Sequence, residues 1–325
     1  MKAIRFSALG EPEVLALDDV PEPAPGPDEV LLRVRAVGVN FADTRFRRGT
    51  YFVRAVFPQI PGMECAGEIE AVGANVTGWK AGDRVMALAA NAYAEKLVCR
   101  PEDLYPMPEG LGFEEAASLP VQGLTAHHTL KLMGRLAPKE RVLVHAAAGG
   151  VGTLAVQLAK QMGASQILGA ASSEEKRALV KSLGADACVD SRAEDWHAQV
   201  KEATGGQGVD VILEMVGGTE NYKKNLSVLA PLGRMVVFGA ANGQTKGTVE
   251  PVGLMGKNHS IVGYYVTPLL KRRDLCAPPL DELARHSVAG RLKVIVGHRF
   301  PLADAVLAHR AMEARETSGK IVLLP

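Results

Sequence analysis

Short runs of alternating hydrophobic and polar residues fill the first third of the chain. Residues 29–40 are rich in Val and Leu with alternating Arg and Val near their centre, and residues 62–72 form a second run. Glycine-containing turns at residues 73–75 and 81–83 separate further short runs. Alternation with period two is typical of strands with one solvated face. Short strands between Gly and Pro turns predict a small, partly open β-barrel here.

Near Pro120 the pattern changes to alternating helical and strand-like segments. The predicted helices cover residues 112–133, 153–162 and 222–229, and the predicted strands cover residues 140–146, 166–171, 209–215, 233–239 and 259–266. Ser172, with Glu175 three residues later, matches a capping box and predicts a further helix that runs to Gly184. This order predicts an α/β domain with a doubly wound parallel sheet covered on both faces.

The last segment, after residue 266, loses this alternation. It predicts helices at residues 281–289 and 302–315, and strands at residues 294–300 and at the closing IVLLP. Nothing in this pattern indicates which of the two domains the last segment joins.

The composition excludes several classes of protein. The chain has 325 residues, 47% apolar and 22% charged, and a net charge of +1. Such a length suggests about two domains, and a nearly neutral chain has no electrostatic footprint for nucleic acid or an anionic membrane. The N-terminus lacks a secretory signal, and no apolar run is long enough to span a membrane. We expect a cytoplasmic protein.

The cysteines are few and far apart. No Cys-x-x-Cys pair is present, so the sequence offers neither a zinc knuckle nor a thioredoxin-type pair. We expect free thiols in a reducing cytoplasm. The four cysteines are Cys65, Cys99, Cys188 and Cys276.

A glycine-rich segment lies between a predicted strand and a predicted helix. Its sequence, HAAAGGVG at residues 145–152, is an A-x-G-x-x-G variant of the dinucleotide fingerprint. Gly149 and Gly150 would let the backbone approach a pyrophosphate, and Gly152 would let the helix pack closely on the strand. The helix N-terminus adds N–H donors and a positive dipole end. The strand, turn and helix together predict a dinucleotide site.

The residues after the next predicted strand bear on which dinucleotide binds. NAD sites place Asp or Glu at the end of that strand, where it accepts from the ribose 2′-hydroxyl. Here the strand ends without a carboxylate, Ser172 and Ser173 can donate to a 2′-phosphate, and Lys176 adds positive charge. These residues favour NADP(H). Glu174 and Glu175 leave NAD open as the alternative, because either side chain could face the ribose.

The chain resembles a known family over nearly its whole length. The motifs that carry the resemblance are, in order, GVNFAD, PGMECAG, AGDRV, QGLTAHHTL and HAAAGGVG. They are similar to the zinc-independent quinone oxidoreductase (zeta-crystallin-like) branch of the medium-chain dehydrogenase/reductase superfamily. The resemblance implies a GroES-like β-rich catalytic domain over residues 1–121, a Rossmann domain over 122–266, and a return to the catalytic domain over 267–325. It also implies NADPH in the cleft between domains and a homodimer joined through the edge strand at residues 259–266.

The resemblance carries over site residues by position. It implies a pyrophosphate loop of Gly149, Gly150, Val151 and Gly152, a 2′-phosphate site of Ser172, Lys176 and Arg315, and a nicotinamide end lined by Phe238, Gly239 and Tyr264. Thr125, in QGLTAHHTL, is a further cofactor-binding candidate. Where some relatives have a tyrosine near the 2′-phosphate, this chain has Ser191, which can donate a hydrogen bond but cannot stack. Asn40, Asp43 and Tyr51 match polar positions of the catalytic cleft.

Zinc is not expected. Zinc-dependent members place a catalytic Cys at about residues 39–40 and a Gly-His-Glu at the position of Gly62-Met63-Glu64, where Met63 replaces the imidazole. The cysteine quartet of a structural zinc site is also absent. Cys65 is interpreted as a small buried apolar residue, and the adjacent His127 and His128 do not share a helix face.

Without a metal to stabilise an alkoxide, acceptors that delocalise charge are favoured. The hypothesis is hydride transfer from NADPH to a quinone, with the protein supplying orientation and a water-poor site. Asn40 and Tyr51 would hydrogen-bond the acceptor oxygen, with Tyr51 as a possible proton donor, and Asp43 could instead fix Arg45 or another basic group. The alternatives left open are an enone, alkenal or enoyl-thioester reductase on the same scaffold, and a recruited RNA-binding or structural protein.

Overall fold

The chain folds into two compact units. The computed structural model describes every residue from Met1 to Pro325. The β unit comprises Met1–Leu124 and Thr267–Pro325, and the α/β unit comprises Thr125–Val266. The boundary expected at residues 121 and 122 falls three residues earlier than this division, inside a helix. No helix combines the length and apolar character needed to cross a membrane.

The β unit is built on a mixed sheet of seven strands and a separate two-stranded ribbon. The ribbon pairs β1 with β2, and the sheet runs in the order β14-β15-β3-β4-β5-β7, with β6 also pairing with β3. These strands are β1 Lys2–Arg5, β2 Ala16–Asp19, β3 Val30–Val39, β4 Cys65–Val72, β5 Arg84–Ala87, β6 Lys96–Cys99, β7 Leu104–Pro106, β14 Val296–Pro301 and β15 Lys320–Leu324.

Strand β3 organises this sheet because it is ten residues long and pairs on both edges. One edge pairs with β4, while the other pairs with β6 along its first half and with β15 along its second half. Strand β15 is the end of the chain, so the last segment returns to the β unit. This return brings residues from both ends of the chain into one core.

The helices of the β unit differ in part from those predicted. They are α1 Phe41–Arg47, α2 Phe113–Ala116, α8 Arg273–Val288 and α9 Ala305–Glu313, while α3 Pro120–His128 continues from this unit into the α/β unit. The single helix predicted over residues 112–133 is wrong: it is divided into α2, α3 and a π-helical turn at Thr129–Met133. Helix α8 begins at Arg273, eight residues before the predicted start, because it includes Pro278 and Pro279 instead of starting after them.

The α/β unit contains a six-stranded parallel sheet in the order β10-β9-β8-β11-β12-β13. The elements are β8 Arg141–Val144, α4 Gly150–Gln161, β9 Gln166–Ala171, α5 Glu174–Ser182, β10 Ala187–Asp190, α6 Trp196–Ala203, β11 Val209–Glu214, α7 Thr219–Val228, β12 Leu229–Val237 and β13 Ser260–Gly263. Numbered within the unit this is the 3-2-1-4-5-6 order of a doubly wound dinucleotide-binding sheet. The pattern of the sequence missed β10 and α6.

Candidate dinucleotide site and buried polar network

The strand order of the α/β unit locates a crevice. The chain runs from β8 outwards through β9 and β10, and then returns to the other side of β8 as β11. The connections above β8 and β11 therefore diverge at their carboxyl ends. In open parallel sheets, ligands bind at this topological switch point. Four of the predicted cofactor residues, Gly149, Gly150, Val151 and Gly152, follow β8 at this point.

The glycine-rich turn has the tight geometry that the fingerprint requires. Gly149 is the N-cap of α4, and Gly150 is its first residue. A Cβ on Gly152 would lie 2.5 Å from the Ala146 carbonyl oxygen and 2.5 Å from the Ala147 Cα. Because both neighbours are backbone atoms, only glycine fits there. The turn thus packs closely on the start of α4, whose N-terminal N–H groups can face a phosphate.

The next connection, between β9 and α5, contains the residues predicted to meet a 2′-phosphate. Ser173, and not Ser172 as predicted, is the N-cap of α5: its hydroxyl accepts from the Lys176 N–H at 3.3 Å. The capping-box interpretation was wrong by one residue because β9 ends at Ala171 and α5 begins at Glu174, so the cap position falls on Ser173. Ser172 therefore lies between strand and cap. The Ser191 N–H donates to the Ala171 carbonyl at 3.2 Å, so Ser191 reaches this same edge.

The predicted nicotinamide residues follow neighbouring strands at the same edge of the sheet. The Phe238 N–H donates to the Glu214 carbonyl at 2.9 Å, and the Tyr264 N–H donates to the Val237 carbonyl at 2.8 Å. The Tyr264 hydroxyl lies 3.1 Å from Nδ1 of buried His128. A Cβ on Gly239 would meet the Met215 Cβ at 3.2 Å and the Met215 carbonyl oxygen at 3.3 Å. The structure therefore brings Phe238, Gly239 and Tyr264 together along one edge.

Buried Glu214 organises the connection after β11, although no motif of the sequence marks it as a site residue. Its Oε1 accepts from the N–H groups of Val216 at 2.6 Å and Gly217 at 2.8 Å. Its Oε2 accepts from the side-chain amides of Asn221 at 2.7 Å and Asn225 at 2.5 Å. A carboxylate with only donors around it is stable when buried. Glu214 therefore fixes the turn between β11 and α7 at the switch point.

A second buried polar group lies in the β unit and begins at Asn40. The Asn40 Nδ2 donates to Glu64 Oε1 at 2.7 Å, and the Lys320 ammonium donates to Asn40 Oδ1 at 3.0 Å and to Glu64 Oε1 at 2.6 Å. Glu64 Oε2 accepts from the Val121 N–H at 2.6 Å. A Cβ on Gly38 would lie 2.6 Å from Glu64 Oε1, so glycine makes room for the carboxylate. Burial lowers the pKa of Lys320, and Glu64 opposes that shift.

Asp43 continues this network away from Lys320. Asp43 Oδ2 accepts from the Asn40 N–H at 2.8 Å and from the Tyr93 hydroxyl at 3.2 Å. Burial raises the pKa of Asp43 to about 7, against the Asn40 N–H and Lys320, which favour the carboxylate. Its partners are thus Asn40 and Tyr93. Arg45, the alternative partner predicted from the sequence, is not among them.

The chain of hydrogen bonds passes from Tyr93 through His309 to Arg47 and Glu313. The Tyr93 oxygen lies 3.1 Å from His309 Nε2, and Arg47 Nη1 lies 3.3 Å from His309 Nδ1. Because a guanidinium only donates, Nδ1 accepts, which places the proton on Nε2 and makes it the donor to Tyr93. Burial, and then the charge of Arg47, lower the pKa of His309 to about 3. Arg47 in turn donates to Glu313 at 2.6 Å.

The remaining predicted residues lie elsewhere. Tyr51 is partly exposed and packs against the ring of Phe52, with centroids 5.5 Å apart. Buried Thr125 accepts from the Thr129 hydroxyl through its carbonyl oxygen at 2.7 Å. Arg315 follows α9 with a φ of 60° and belongs to the β unit, whereas Ser172, Lys176 and Ser191 belong to the α/β unit.

The residues at the positions of zinc ligands do not fit that metal. Asn40 has an amide, Met63 a thioether, and Glu64 is paired with a buried ammonium. Cys65 is buried, and burial raises the pKa of its thiol well above the usual range, which disfavours the thiolate that zinc needs. No three His, Cys, Asp or Glu side chains group in a way that could hold a metal ion. We therefore derive no step through zinc.

Two family models match the chain. The alcohol dehydrogenase GroES-like domain matches residues 26–130, and the zinc-binding dehydrogenase model matches residues 150–275. The first of these lies mainly in the β unit and the second mainly in the α/β unit.

Whole-length relatives are also found. A quinone oxidoreductase of Pseudomonas aeruginosa is 38% identical over 100% of this chain and 99% of its own length. A quinone oxidoreductase of Homo sapiens is 35% identical over 100% of this chain and 98% of its own. A solved structure of an Escherichia coli quinone oxidoreductase complexed with NADPH superimposes with a TM-score of 0.94 and 32% identity, covering 100% of both chains. The chain therefore belongs to the zinc-independent quinone oxidoreductase branch of the medium-chain dehydrogenase/reductase superfamily.

Proposed function

We propose that this protein is an NADPH-dependent quinone oxidoreductase. The observation that carries the proposal is the glycine turn at the switch point of a 3-2-1-4-5-6 sheet, where Gly152 leaves no room for a Cβ. That arrangement fits a dinucleotide pyrophosphate. The relatives named quinone oxidoreductase support the reaction, and the NADPH complex of the Escherichia coli protein supports the cofactor.

The residues of the α/β unit fit the parts of NADPH in order along the sheet edge. The turn at Gly149, Gly150, Val151 and Gly152 would hold the pyrophosphate at the start of α4. Ser172, Lys176 and Ser191 would hold the 2′-phosphate, and Arg315 is the further cation that the family resemblance implies for it. Phe238, Gly239 and Tyr264 would line the nicotinamide end, and Thr125 is a further cofactor-binding candidate. When bound there, NADPH supplies a hydride from C4 of its nicotinamide.

The acceptor contact is proposed to rest on Tyr51. Both polar atoms of the Asn40 side chain are engaged with Glu64 and Lys320, and Asp43 is bonded to Asn40 and Tyr93. We therefore assign Asn40 and Asp43 to positioning the start of α1, and Tyr51 to a hydrogen bond with the acceptor oxygen. A quinone suits such a site, because its developing charge is delocalised and needs few donors.

A fluorescence titration with NADPH and NADH tests the cofactor assignment. The wild-type protein is expected to bind NADPH at least about tenfold more tightly, since a charged contact to phosphate contributes on the order of 1.5–3 kcal/mol. Lys176→Ala should remove most of that preference, while Lys181→Gln, which removes an exposed charge from the last turn of α5, should not. Equal affinities for the two dinucleotides in the wild type would contradict the assignment.

Steady-state rates with two acceptors test the reaction. With NADPH, a simple quinone should give a kcat/KM at least about tenfold above that of an unbranched alkenal, because only the quinone delocalises charge over a ring. The reverse order would favour the enone reductase alternative. Tyr51→Phe should lower kcat/KM for the quinone by about tenfold, the value of one lost hydrogen bond.

A homodimer through β13 is part of the proposal. Strand β13 forms one edge of the parallel sheet, and Leu232, Val252 and Met255 are exposed apolar residues on β12 and in the 3₁₀ segment that precedes β13. Pairing of two such edges across a two-fold axis would satisfy their free backbone groups. Sedimentation of the wild type and of an Ile261→Pro variant tests it: the Tyr264 N–H donates to the Val237 carbonyl of β12, so the alternate residue Ile261 faces the open edge, and the variant should be a monomer.

We also propose a cytoplasmic location. The four cysteines are all free thiols, and a reducing compartment keeps such thiols stable. Fractionation of cells that express a tagged chain tests this location.

A further inference from the structure

Arg177 ties together the carboxyl ends of β9 and β10. Its Nη1 donates to the Ala171 carbonyl at 3.3 Å and lies 3.3 Å from Asp190 Oδ2. The two side chains are 25% and 38% exposed, so the pair is only partly screened by water. Lys176, the neighbouring residue, was the cation that the sequence singled out, and Arg177 has no part in the site described above.

Asp190 lies at the edge where the 2′-phosphate is proposed to bind. In the parallel register Asp190 is opposite Ala171, and Ser191 donates to the same Ala171 carbonyl. Ser172 directly follows Ala171. A carboxylate at this place would repel a phosphate, whereas a ribose 2′-hydroxyl, as in NADH, is neutral and can donate to it. An unpaired Asp190 would therefore favour the wrong dinucleotide.

We propose that Arg177 determines dinucleotide choice by neutralising Asp190. The inference rests on the proposed NADPH function and names a specificity residue for it. Lys176 acts on the phosphate itself, and Arg177 acts through Asp190, so the two contributions are separable. The other charged groups at this edge are exposed Glu174, exposed Arg192, whose N–H donates to Asp190 Oδ1 at 2.9 Å, and Glu175, whose pKa is lowered chiefly by a hydrogen bond from Ser173.

Four proteins test the inference: wild type, Arg177→Gln, Asp190→Asn, and the double variant. Dissociation constants for NADPH and for NADH are measured by fluorescence titration at low ionic strength, where charge effects are least screened. Arg177→Gln should weaken NADPH binding by about tenfold, the effect of one unpaired charge several ångströms from a phosphate, and should change NADH binding by less than about twofold. Asp190→Asn should strengthen NADPH binding, and the double variant should return to within about threefold of wild type.

The Asp190→Asn arm does not depend on whether Arg177→Gln folds. The amide oxygen introduced at position 190 can still accept from the Arg192 N–H, so the turn is preserved. Lys181→Gln is the matched control, because it removes the same charge from the far end of α5.

Three outcomes overturn the inference. One is an unchanged NADPH-to-NADH ratio in Arg177→Gln. Another is an equal loss of both dinucleotides, which would mean a purely structural role. The third is a double variant that is no better than Arg177→Gln. If Lys176→Ala abolishes NADPH preference while Arg177→Gln does not change it, the proposed function stands and only this inference fails. If the wild type binds neither dinucleotide, the proposed function itself fails.

Discussion

Lys320→Met is the most direct test of the buried network in the β unit. The ammonium of Lys320 lies 2.6 Å from Glu64 Oε1 and 3.0 Å from Asn40 Oδ1, and the Lys320 and Glu64 side chains are 1% and 0% exposed. Methionine has a similar length and volume but donates no hydrogen bond. The substitution therefore leaves a carboxylate buried without its counter-charge and opens no large cavity.

The loss of stability in Lys320→Met depends on the hydrogen bonds that Glu64 retains. Removing one partner of a buried ion pair destabilises by about 3–5 kcal/mol. Glu64 retains hydrogen bonds from Asn40 Nδ2 and the Val121 N–H, which partly stabilise its charge. Asn40 Oδ1 loses its donor, which adds about 1 kcal/mol. We expect the free energy of unfolding of the β unit to fall by about 3–4 kcal/mol.

The two tryptophans allow each unit to be followed separately. Trp79 packs on the core of the β unit, and Trp196 is buried in the core of the α/β unit. In a Trp196→Phe background, urea unfolding followed by fluorescence reports the β unit. The matched control is Glu64→Gln with Lys320→Met, which removes both charges and should recover most of the lost stability. A loss below about 1 kcal/mol, or a double variant no more stable than Lys320→Met, would refute the ion-pair argument.

Three further perturbations follow from the geometry. Burial raises the pKa of Asp43 from 3.8 to about 7, so Asp43 makes the protein less stable as the pH rises through this range, whereas the pKa of His309, lowered from 6.5 to about 3, makes the protein more stable between about pH 3 and 6.5. In urea unfolding of Asp43→Asn only the His309 effect remains, so the free energy of unfolding should rise by about 3–4 kcal/mol between pH 4 and 6.5. A wild type whose stability rises as steeply over this range would show that Asp43 does not oppose His309. Gly152→Ala places a Cβ 2.5 Å from backbone atoms of the glycine turn. Titration should therefore show NADPH affinity falling by about tenfold or more, and thermal unfolding should show a stability loss of about 1–3 kcal/mol. An unchanged NADPH affinity would contradict the prediction. In Glu214→Gln the new NH₂ group faces two hydrogen-bond donors whichever way the amide is oriented. Trp196 fluorescence during urea unfolding should therefore report a loss of about 2–4 kcal/mol in the free energy of unfolding. The control Glu220→Gln, on the exposed face of α7, should change that free energy little.

Features encoded over a few consecutive residues were predictable from the sequence. The strand, glycine turn and helix around Gly152 follow from an apolar run, three glycines and a helical stripe, and the structure has each at the expected place. The N-cap of α5 shows that such local features are predicted only to within about one residue. Ser172 and Ser173 are chemically equivalent caps, and only the point at which β9 ends selects Ser173. Strand β10 was missed because its four residues are too few to show a period.

Features that join distant residues were not predictable. Lys320 and Glu64 are 256 positions apart, and His309 and Tyr93 are 216 apart. Each pair forms only because β15 returns to β3 and α9 packs in the β unit. The pattern of the last segment did not indicate that return, so a buried lysine at residue 320 had no predictable partner. Glu214 was hidden for a related reason, since its hydrogen-bond donors come from the turn after β11 and from α7.

Asn40 illustrates how the structure changes the meaning of a motif. In the sequence, NFAD followed by a tyrosine suggested a cluster of polar groups facing an acceptor. In the structure the Asn40 amide donates to Glu64 and accepts from Lys320, which leaves its side chain committed to the interior. Asn40→Ala should therefore act first on stability, with a loss of about 2 kcal/mol or more in urea unfolding from two lost hydrogen bonds to charged groups. Tyr51→Phe should instead lower kcat/KM by more than it lowers stability, because Tyr51 is partly exposed. If Asn40→Ala lowered kcat/KM at wild-type stability, Asn40 would contact the acceptor after all.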